Sequence, residues 1–164
     1  MLLSRDFVLA TAFLAGLLPL HAQSGGGERQ VDAIARSIKA GNIAAVEVFG
    51  VPPNEEFRVN VNPERLESWW EYKLTLRDLE SRAEELTTAL RSATIQASGK
   101  KVDSLDVRSG IVFYSKTPEG KRIASLYFDR SGRHGAVNAI STSFGPDFFV
   151  RLKRALRFPL SSCP

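Results

Sequence analysis

Residues 105–140 of the chain read LDVRSGIVFYSKTPEGKRIASLYFDRSGRHGAVNAI, and this stretch holds three strand-like runs separated by two turns. The runs are Leu105 to Tyr114, Arg122 to Phe128 and His134 to Ile140. The turns, Thr117-Pro118-Glu119-Gly120 and Asp129-Arg130-Ser131-Gly132, are rich in turn-forming residues. Because turns this short join antiparallel neighbours, the segment predicts a three-stranded β-meander.

Helical and strand-like patterns alternate on either side of this meander. Hydrophobic spacing predicts helices at Glu28–Ala40, Pro63–Trp69, Asp78–Ala93 and Gly145–Arg157, and strands at Ile43–Val51 and Glu71–Arg77. The resulting order is α-β-α-β-α-β-β-β-α. It predicts an α+β fold with two layers, in which helices pack on a largely antiparallel sheet that ends in the meander and a C-terminal helix.

Local signals support two of the upstream helices. Asn62 followed by Pro63 is a cap with proline at the first helical position, which favours a helix that begins there and ends at the Trp69-Trp70 pair. In the next helix, Ser81 and Glu84 have the spacing of a capping box.

The N-terminal 22 residues have the layout of a secretory signal peptide. Arg5 precedes the apolar run FVLATAFLAGLL, and Pro19 and a small residue, Ala22, follow it. We expect cleavage after Ala22, with cleavage after Ser24 as the alternative. If the segment is not a cleaved signal peptide, it is an uncleaved anchor or an apolar core helix. The run is shorter than a spanning helix needs, so we expect export to the periplasm or medium and no transmembrane span after cleavage.

The predicted division of the chain follows from this reading. Residues 1–22 form the signal peptide, 23–27 a flexible leader, 28–158 a single α+β domain and 159–164 a C-terminal tail. The tail carries Cys163, the one cysteine of the chain. In an oxidising compartment this thiol would be free or would form an intermolecular link.

The charge is unevenly distributed. The whole chain has a formal net charge of +4, whereas residues 28–95 hold 9 basic and 12 acidic side chains and residues 96–164 hold 12 and 5. Such asymmetry indicates either an anionic partner or two differently decorated surfaces that the fold mixes.

Few residues are suited to demanding catalysis. After residue 22 the chain has one histidine, His134, and one cysteine, so neither a zinc site of the usual kind nor a nucleophile with a nearby base is predicted. Phosphate-binding loops are absent, and we predict no cofactor, no metal and no catalytic residue. The exception is a pair of carboxylates, and the candidates are Glu55, Glu56, Asp103 and Asp106.

Two groups of residues are candidate contacts for a partner. Trp69 and Trp70 are simplest to explain as core residues, but an exposed tryptophan would anchor a protein or a sugar ring. The C-terminal helix carries the cations Arg151, Lys153, Arg154 and Arg157, which either complement the helix dipole or meet an anionic surface.

The sequence favours an exported, non-enzymatic binding or accessory protein that contacts a protein or an anionic polymer of the cell envelope. Specific nucleic-acid binding is not predicted. The alternatives are a carboxylate-dependent hydrolase acting on an envelope polymer, and a structural accessory protein without a discrete site. Asp106 and Arg108, two apart on one strand, are expected to form a structural ion pair, with Asp129 as the other possible partner of Arg108.

Overall fold

The protein folds as a seven-stranded antiparallel sheet with helices packed against it. A computed structural model describes residues 25–52 and 54–157, and over these residues it shows four α-helices and seven strands. In chain order they are α1 (Gly26–Lys39), β1 (Ile43–Gly50), α2 (Pro63–Trp69), β2 (Tyr72–Leu76), α3 (Ala83–Arg91), β3 (Ile95–Ala97), β4 (Val107–Ser115), β5 (Arg122–Asp129), β6 (His134–Val137), β7 (Ile140–Phe144) and α4 (Phe148–Ala155). The predicted α+β class and the C-terminal helix after the meander are confirmed.

The strands lie in the order β2-β1-β4-β5-β6-β7-β3. β4, β5 and β6 are sequential antiparallel neighbours, as the short turns predicted. The third predicted run is divided, because Asn138 takes a positive φ of 52° and turns the chain back into β7. β2 and β3 are the two outer strands of the sheet.

One face of the sheet carries the larger core. Alternate residues of the central strands, including Val46, Ile111, Leu126 and Phe128, point to this face and are buried against α1, α3 and α4. Four phenylalanines meet here, and the rings of Phe128 and Phe149 stack with centroids 4.5 Å apart. The predicted apolar sides of these three helices therefore form the main hydrophobic core.

The opposite face is covered by α2 and by two long connections. Leu66 of α2 is fully buried there with Phe49, Val112 and Tyr127, which alternate with the residues of the larger core. α2 therefore packs on the face of the sheet opposite α1, α3 and α4. The connection from β1 to β2 passes over this second face, and α2 forms part of it.

The predicted Asp106–Arg108 ion pair fixes one of these connections. Arg108 Nη2 lies 2.8 Å from Asp106 Oδ2, and Arg108 Nη1 donates to the Glu55 carbonyl oxygen at 2.9 Å. Asp106 Oδ1 also accepts a hydrogen bond from the Val61 amide. The guanidinium lies 4.8 Å from the centre of the Phe57 ring, so the segment before α2 is held on the sheet.

Two local predictions differ from the structure, and one strand was not predicted. α1 begins at Gly26, so the last two glycines of the predicted leader are helical; Gly27 is buried, and a Cβ there would lie 3.1 Å from Ile95. The predicted capping box of the third helix is wrong, because a 3₁₀ turn at Glu80–Arg82 precedes α3 and no side chain caps it. β3 was not predicted, since three residues carry too short a pattern.

The predicted signal peptide, the first residues of the predicted leader, the predicted C-terminal tail and Cys163 lie outside the described residues. Within residues 25–52 and 54–157, no helix has both the length and the hydrophobicity required to span a bilayer.

Candidate binding surface

Trp69 and Trp70 are both exposed at the C-terminal end of α2. The Asn62 side chain accepts a hydrogen bond from the Arg65 amide at 2.9 Å, and Pro63 occupies the first turn, so this helix begins where the sequence predicted. The indoles are 49% and 44% exposed, which makes the expectation that they pack in the core wrong. Leu66 supplies the apolar anchor of α2 instead, and the helix end carries the tryptophans outward.

A cation lies over each indole. Arg65 Cζ is 5.9 Å from the centre of the Trp69 ring, and Lys73 Nζ is 5.8 Å from that of Trp70. Such contacts orient an exposed aromatic ring at small energetic gain. We call these four residues the tryptophan surface.

The tryptophan surface adjoins a group of polar side chains on the same face of the sheet. Lys73 Nζ forms an ion pair with Glu47 Oε1 at 3.0 Å, and the Tyr114 hydroxyl donates to Glu47 Oε2 at 2.9 Å. Burial, together with the hydrogen bond to the Glu47 carboxylate, raises the pKa of Tyr114 to about 12. The phenol therefore stays protonated near neutral pH and cannot act as a general base there.

A second polar group joins α2 to the sheet. Arg122 Nη1 lies 3.0 Å from Glu67 Oε1, and the Tyr127 hydroxyl also donates to the Glu67 carboxylate. Burial and this hydrogen bond raise the pKa of Tyr127 above its ordinary value. These side chains satisfy one another, so their arrangement serves to hold α2, and with it the tryptophans, in place.

We call Glu47, Glu67, Tyr114, Arg122 and Tyr127 the tyrosine network. None of these residues was a candidate from the sequence. Glu47 and Tyr114 are 67 positions apart, and Glu67 and Tyr127 are 60 apart, so only the strand order brings them together. The one available signal was Glu47 itself, a carboxylate inside the otherwise apolar run of β1.

Glu55, a candidate carboxylate, lies beside Glu71. The Glu55 carboxylate accepts a hydrogen bond from the protonated form of Glu71, and this contact, with weaker effects of desolvation and of charge repulsion, raises the pKa of Glu71. Both residues are exposed, as are Glu56 and Asp103. Asp106 is instead engaged by Arg108, so the four predicted carboxylates do not converge on one site.

The cations of the C-terminal helix lie elsewhere. Phe148, Leu152 and Ala155 of α4 are buried in the larger core, on the face of the sheet opposite α2. Lys153 Nζ lies 4.6 Å from the centre of the Phe149 ring. The remaining cations of this group are exposed: Arg151, Arg154 and Arg157. The two predicted groups of partner contacts are therefore on opposite faces and do not form one surface.

His134 is exposed at the start of β6. Its Nδ1 lies 3.2 Å from Ser143 Oγ on the neighbouring strand. Asp129, the nearby acid, accepts from the His134 backbone amide at 3.2 Å. Among the described residues, no group of three or more histidine, cysteine, aspartate or glutamate side chains is placed to hold a metal ion.

A pocket of about 150 Å³ lies apart from the tryptophans, beside the C-terminal end of β2. Its lining includes Ile38, Ile43, Arg77, Leu79 and Lys116. It contains none of the predicted carboxylates or contact residues.

No protein-family model, no curated protein and no solved structure matches this chain.

Proposed function

We propose that this protein is a non-enzymatic binding domain and that the tryptophan surface is where it contacts a partner protein. The observation that carries the proposal is the exposure of two adjacent indoles, at 49% and 44%, on a helix end that Leu66 already anchors. Tryptophan is among the residues that contribute most to binding when a partner covers them. Two tryptophans exposed to water contribute nothing to the hydrophobic core, so packing does not account for their position.

The surroundings of the indoles favour a protein as the partner. Glu64 and Glu67 are exposed on the helix that carries Trp69, and Arg65 and Lys73 lie over the indoles, so both signs of charge are present near them. Protein interfaces commonly combine an aromatic centre with a polar rim of this kind. An anionic polymer would be better matched by a surface of one sign.

The predicted signal peptide supports a partner in the cell envelope or the medium. Export remains a prediction from residues 1–22, and it is compatible with a domain that acts through contact alone.

Substitution of the tryptophans tests this proposal. An envelope extract from the producing cells is passed over the immobilised full chain, and over W69A/W70A and V150A variants. Val150 is a suitable control because it is also exposed, at 44%, but lies on α4 at the other face. We expect one protein to be retained by the wild type and by V150A but not by W69A/W70A.

The retained protein is then purified and titrated into the full chain. Trp69 and Trp70 are the only tryptophans of the sequence, so the fluorescence of this chain, after subtraction of the partner's own signal, reports on this surface. We expect a blue shift and protection from acrylamide quenching. Equal retention by W69A/W70A, or unchanged fluorescence on binding, would contradict the proposal.

The alternative is a carboxylate-dependent hydrolase, and the Glu55–Glu71 pair is the observation in its favour. A carboxyl whose pKa is raised by a hydrogen bond to a neighbouring carboxyl is a candidate general acid for hydrolysis. The exposed Trp70 next to Glu71 could also stack on a sugar. Release of soluble fragments from dye-labelled peptidoglycan by the wild type, lost in E55Q and E71Q, would favour this alternative over simple binding.

A further inference from the structure

β2 forms an open edge of the sheet. It pairs with β1 over Tyr72–Leu76, and no described strand pairs with its other side. The opposite edge, β3, has three residues and is therefore a poor template for another strand. β2 has five residues, enough to pair with a further strand.

The main-chain groups on this open side can be assigned from the neighbouring pairs. The Val51 amide donates to the Arg108 carbonyl oxygen at 3.0 Å, so alternate residues of β1 bond toward β4 and those between them toward β2. Leu74 is paired with Val48 and bonds toward β1. By the same alternation, the amides and carbonyls of Lys73 and Thr75 point to the open side.

The side chains do not protect this edge. Lysine on an outer strand commonly prevents pairing by projecting across the edge. Lys73, however, is turned back over β1, where its ammonium group meets Glu47 at 3.0 Å. Tyr72, Leu74 and Leu76 are only half-buried, which leaves an apolar border on the face of the larger core.

The sequence of this edge complements itself. Residues 71–77 read EYKLTLR. If the segment pairs antiparallel with an identical segment about Leu74, Glu71 of each copy lies opposite Arg77 of the other. Tyr72 then lies opposite Leu76, and Lys73 opposite Thr75, so charged, apolar and hydrogen-bonding positions all match.

We propose that a second copy of this chain binds at β2, by antiparallel pairing about Leu74 with Glu71–Arg77 ion pairs at both ends. Arg77 is exposed and forms no ion pair within the described part of the chain. The Glu71 carboxyl shares a hydrogen bond with that of Glu55 and repels it when both are charged, and the guanidinium of the second copy would offset this repulsion. At each end of the pairing, Arg77 of one copy therefore gains a carboxylate partner and Glu71 of the other copy gains a cationic one.

This pairing has a consequence for the tryptophan surface. A two-fold axis that relates antiparallel strands of one continuous sheet is perpendicular to that sheet. Both copies of α2 would therefore lie on the same side. The dimer would present two tryptophan surfaces on one side and would bind a partner with repeated sites more tightly than a monomer does. The pairing itself does not depend on the proposed function.

Sedimentation equilibrium of the full chain, over a range of concentrations and without any partner, tests the proposal. We expect a reversible monomer–dimer equilibrium. E71R or R77E should each weaken it about three- to thirtyfold, because two symmetric cross-strand ion pairs are lost. The E71R/R77E double variant restores both pairs with the charges exchanged and should return to within about threefold of the wild type.

Matched controls are D32R and K39E, which reverse exposed charges on α1 and should leave the equilibrium unchanged. T75P should abolish dimerisation, because it removes an amide of the open side while the pairing with β1 remains. E71R relieves the contact with Glu55, so we expect it to weaken the dimer without destabilising the monomer. Thermal unfolding of E71R therefore distinguishes a weaker dimer from a loss of folding.

A wild type that stays monomeric at all concentrations would overturn the proposal. So would a dimer that neither reversal weakens, or a double variant weaker than both single ones. Failure of the W69A/W70A experiment would leave these results unaffected, because they are measured without the partner.

Discussion

At the scale of single residues, burial and the Glu47 carboxylate together raise the pKa of Tyr114. Replacing the carboxylate by an amide in E47Q removes the negative charge that opposes formation of the phenolate. We expect the pKa of Tyr114 to fall from about 12 but to stay above the ordinary value of about 10, because burial remains. Ultraviolet titration near 295 nm measures this change, and Y114F identifies which phenol it belongs to. An unchanged titration in E47Q would show that Glu47 does not influence Tyr114.

Glu71 provides a second test at this scale. Its pKa is raised in the folded protein, so the folded state binds the proton more tightly than the unfolded state. Stability from this group is present at pH values below about 4.3 and is lost as the pH rises through the raised pKa. E71Q removes the penalty, so we expect it to unfold at a higher temperature than the wild type at pH 7.

The advantage of E71Q should disappear near pH 3, where the wild-type carboxyl is protonated as well. Thermal unfolding at dilute protein concentration measures both conditions without dimer formation. E119Q, in the exposed turn between β4 and β5, is the control that should not reproduce this pH dependence. A constant difference between E71Q and wild type across this range would contradict the assignment.

At the scale of elements, α2 positions the tryptophan surface and depends on its cap. The helix has seven residues, so loss of the Asn62–Arg65 hydrogen bond affects a large part of it. N62A should reduce the free energy of unfolding by about 1 kcal/mol, whereas N62D keeps an acceptor and should lose little. Urea unfolding followed by tryptophan fluorescence measures the loss. Equal stability of N62A and wild type would mean that Leu66 and the tyrosine network hold α2 alone.

The same element shows what local sequence can predict. The bounds of α2 were predicted correctly because Asn62 and Pro63 act within the first turn of the helix that they start. The turn at Asn138 was missed, because asparagine followed by alanine lacks the glycine that usually marks a two-residue hairpin. In the structure, the Asn138 side chain accepts a hydrogen bond from the Ser125 amide at 2.7 Å, a contact with another strand that stabilises this turn.

At the scale of the whole molecule, strand order accounts for most of what the sequence could not predict. β1 lies between β2 and β4, and this arrangement brings Glu47 next to both Lys73 and Tyr114. The pattern of each strand indicated only that one side of it is buried. The strand patterns did not indicate that α2 would cover the other side of the sheet. The position of the two tryptophans at the end of α2 was therefore not enough to predict their exposure.

The separation of the two predicted contact groups leads to a last prediction. The cations of α4 and the tryptophans lie on opposite faces of the sheet, so binding to a polyanion should involve the former alone. We expect the full chain to be retained on heparin and released as salt rises, because counterion release weakens such contacts. R151E/R154E should elute at lower salt, whereas W69A/W70A should elute with the wild type.

Net charge alone must be separated from this local effect. R36E/K39E on α1 reverses the same number of exposed cations as R151E/R154E, so the overall charge of the two variants is equal. Because screening confines charge interactions to roughly 10 Å at 0.1 M salt, a polyanion responds to the cations it touches rather than to the total. The α4 variant should therefore elute earlier than the α1 variant. Identical elution of the two would mean that α4 has no specific role and that its cations only complement the helix dipole.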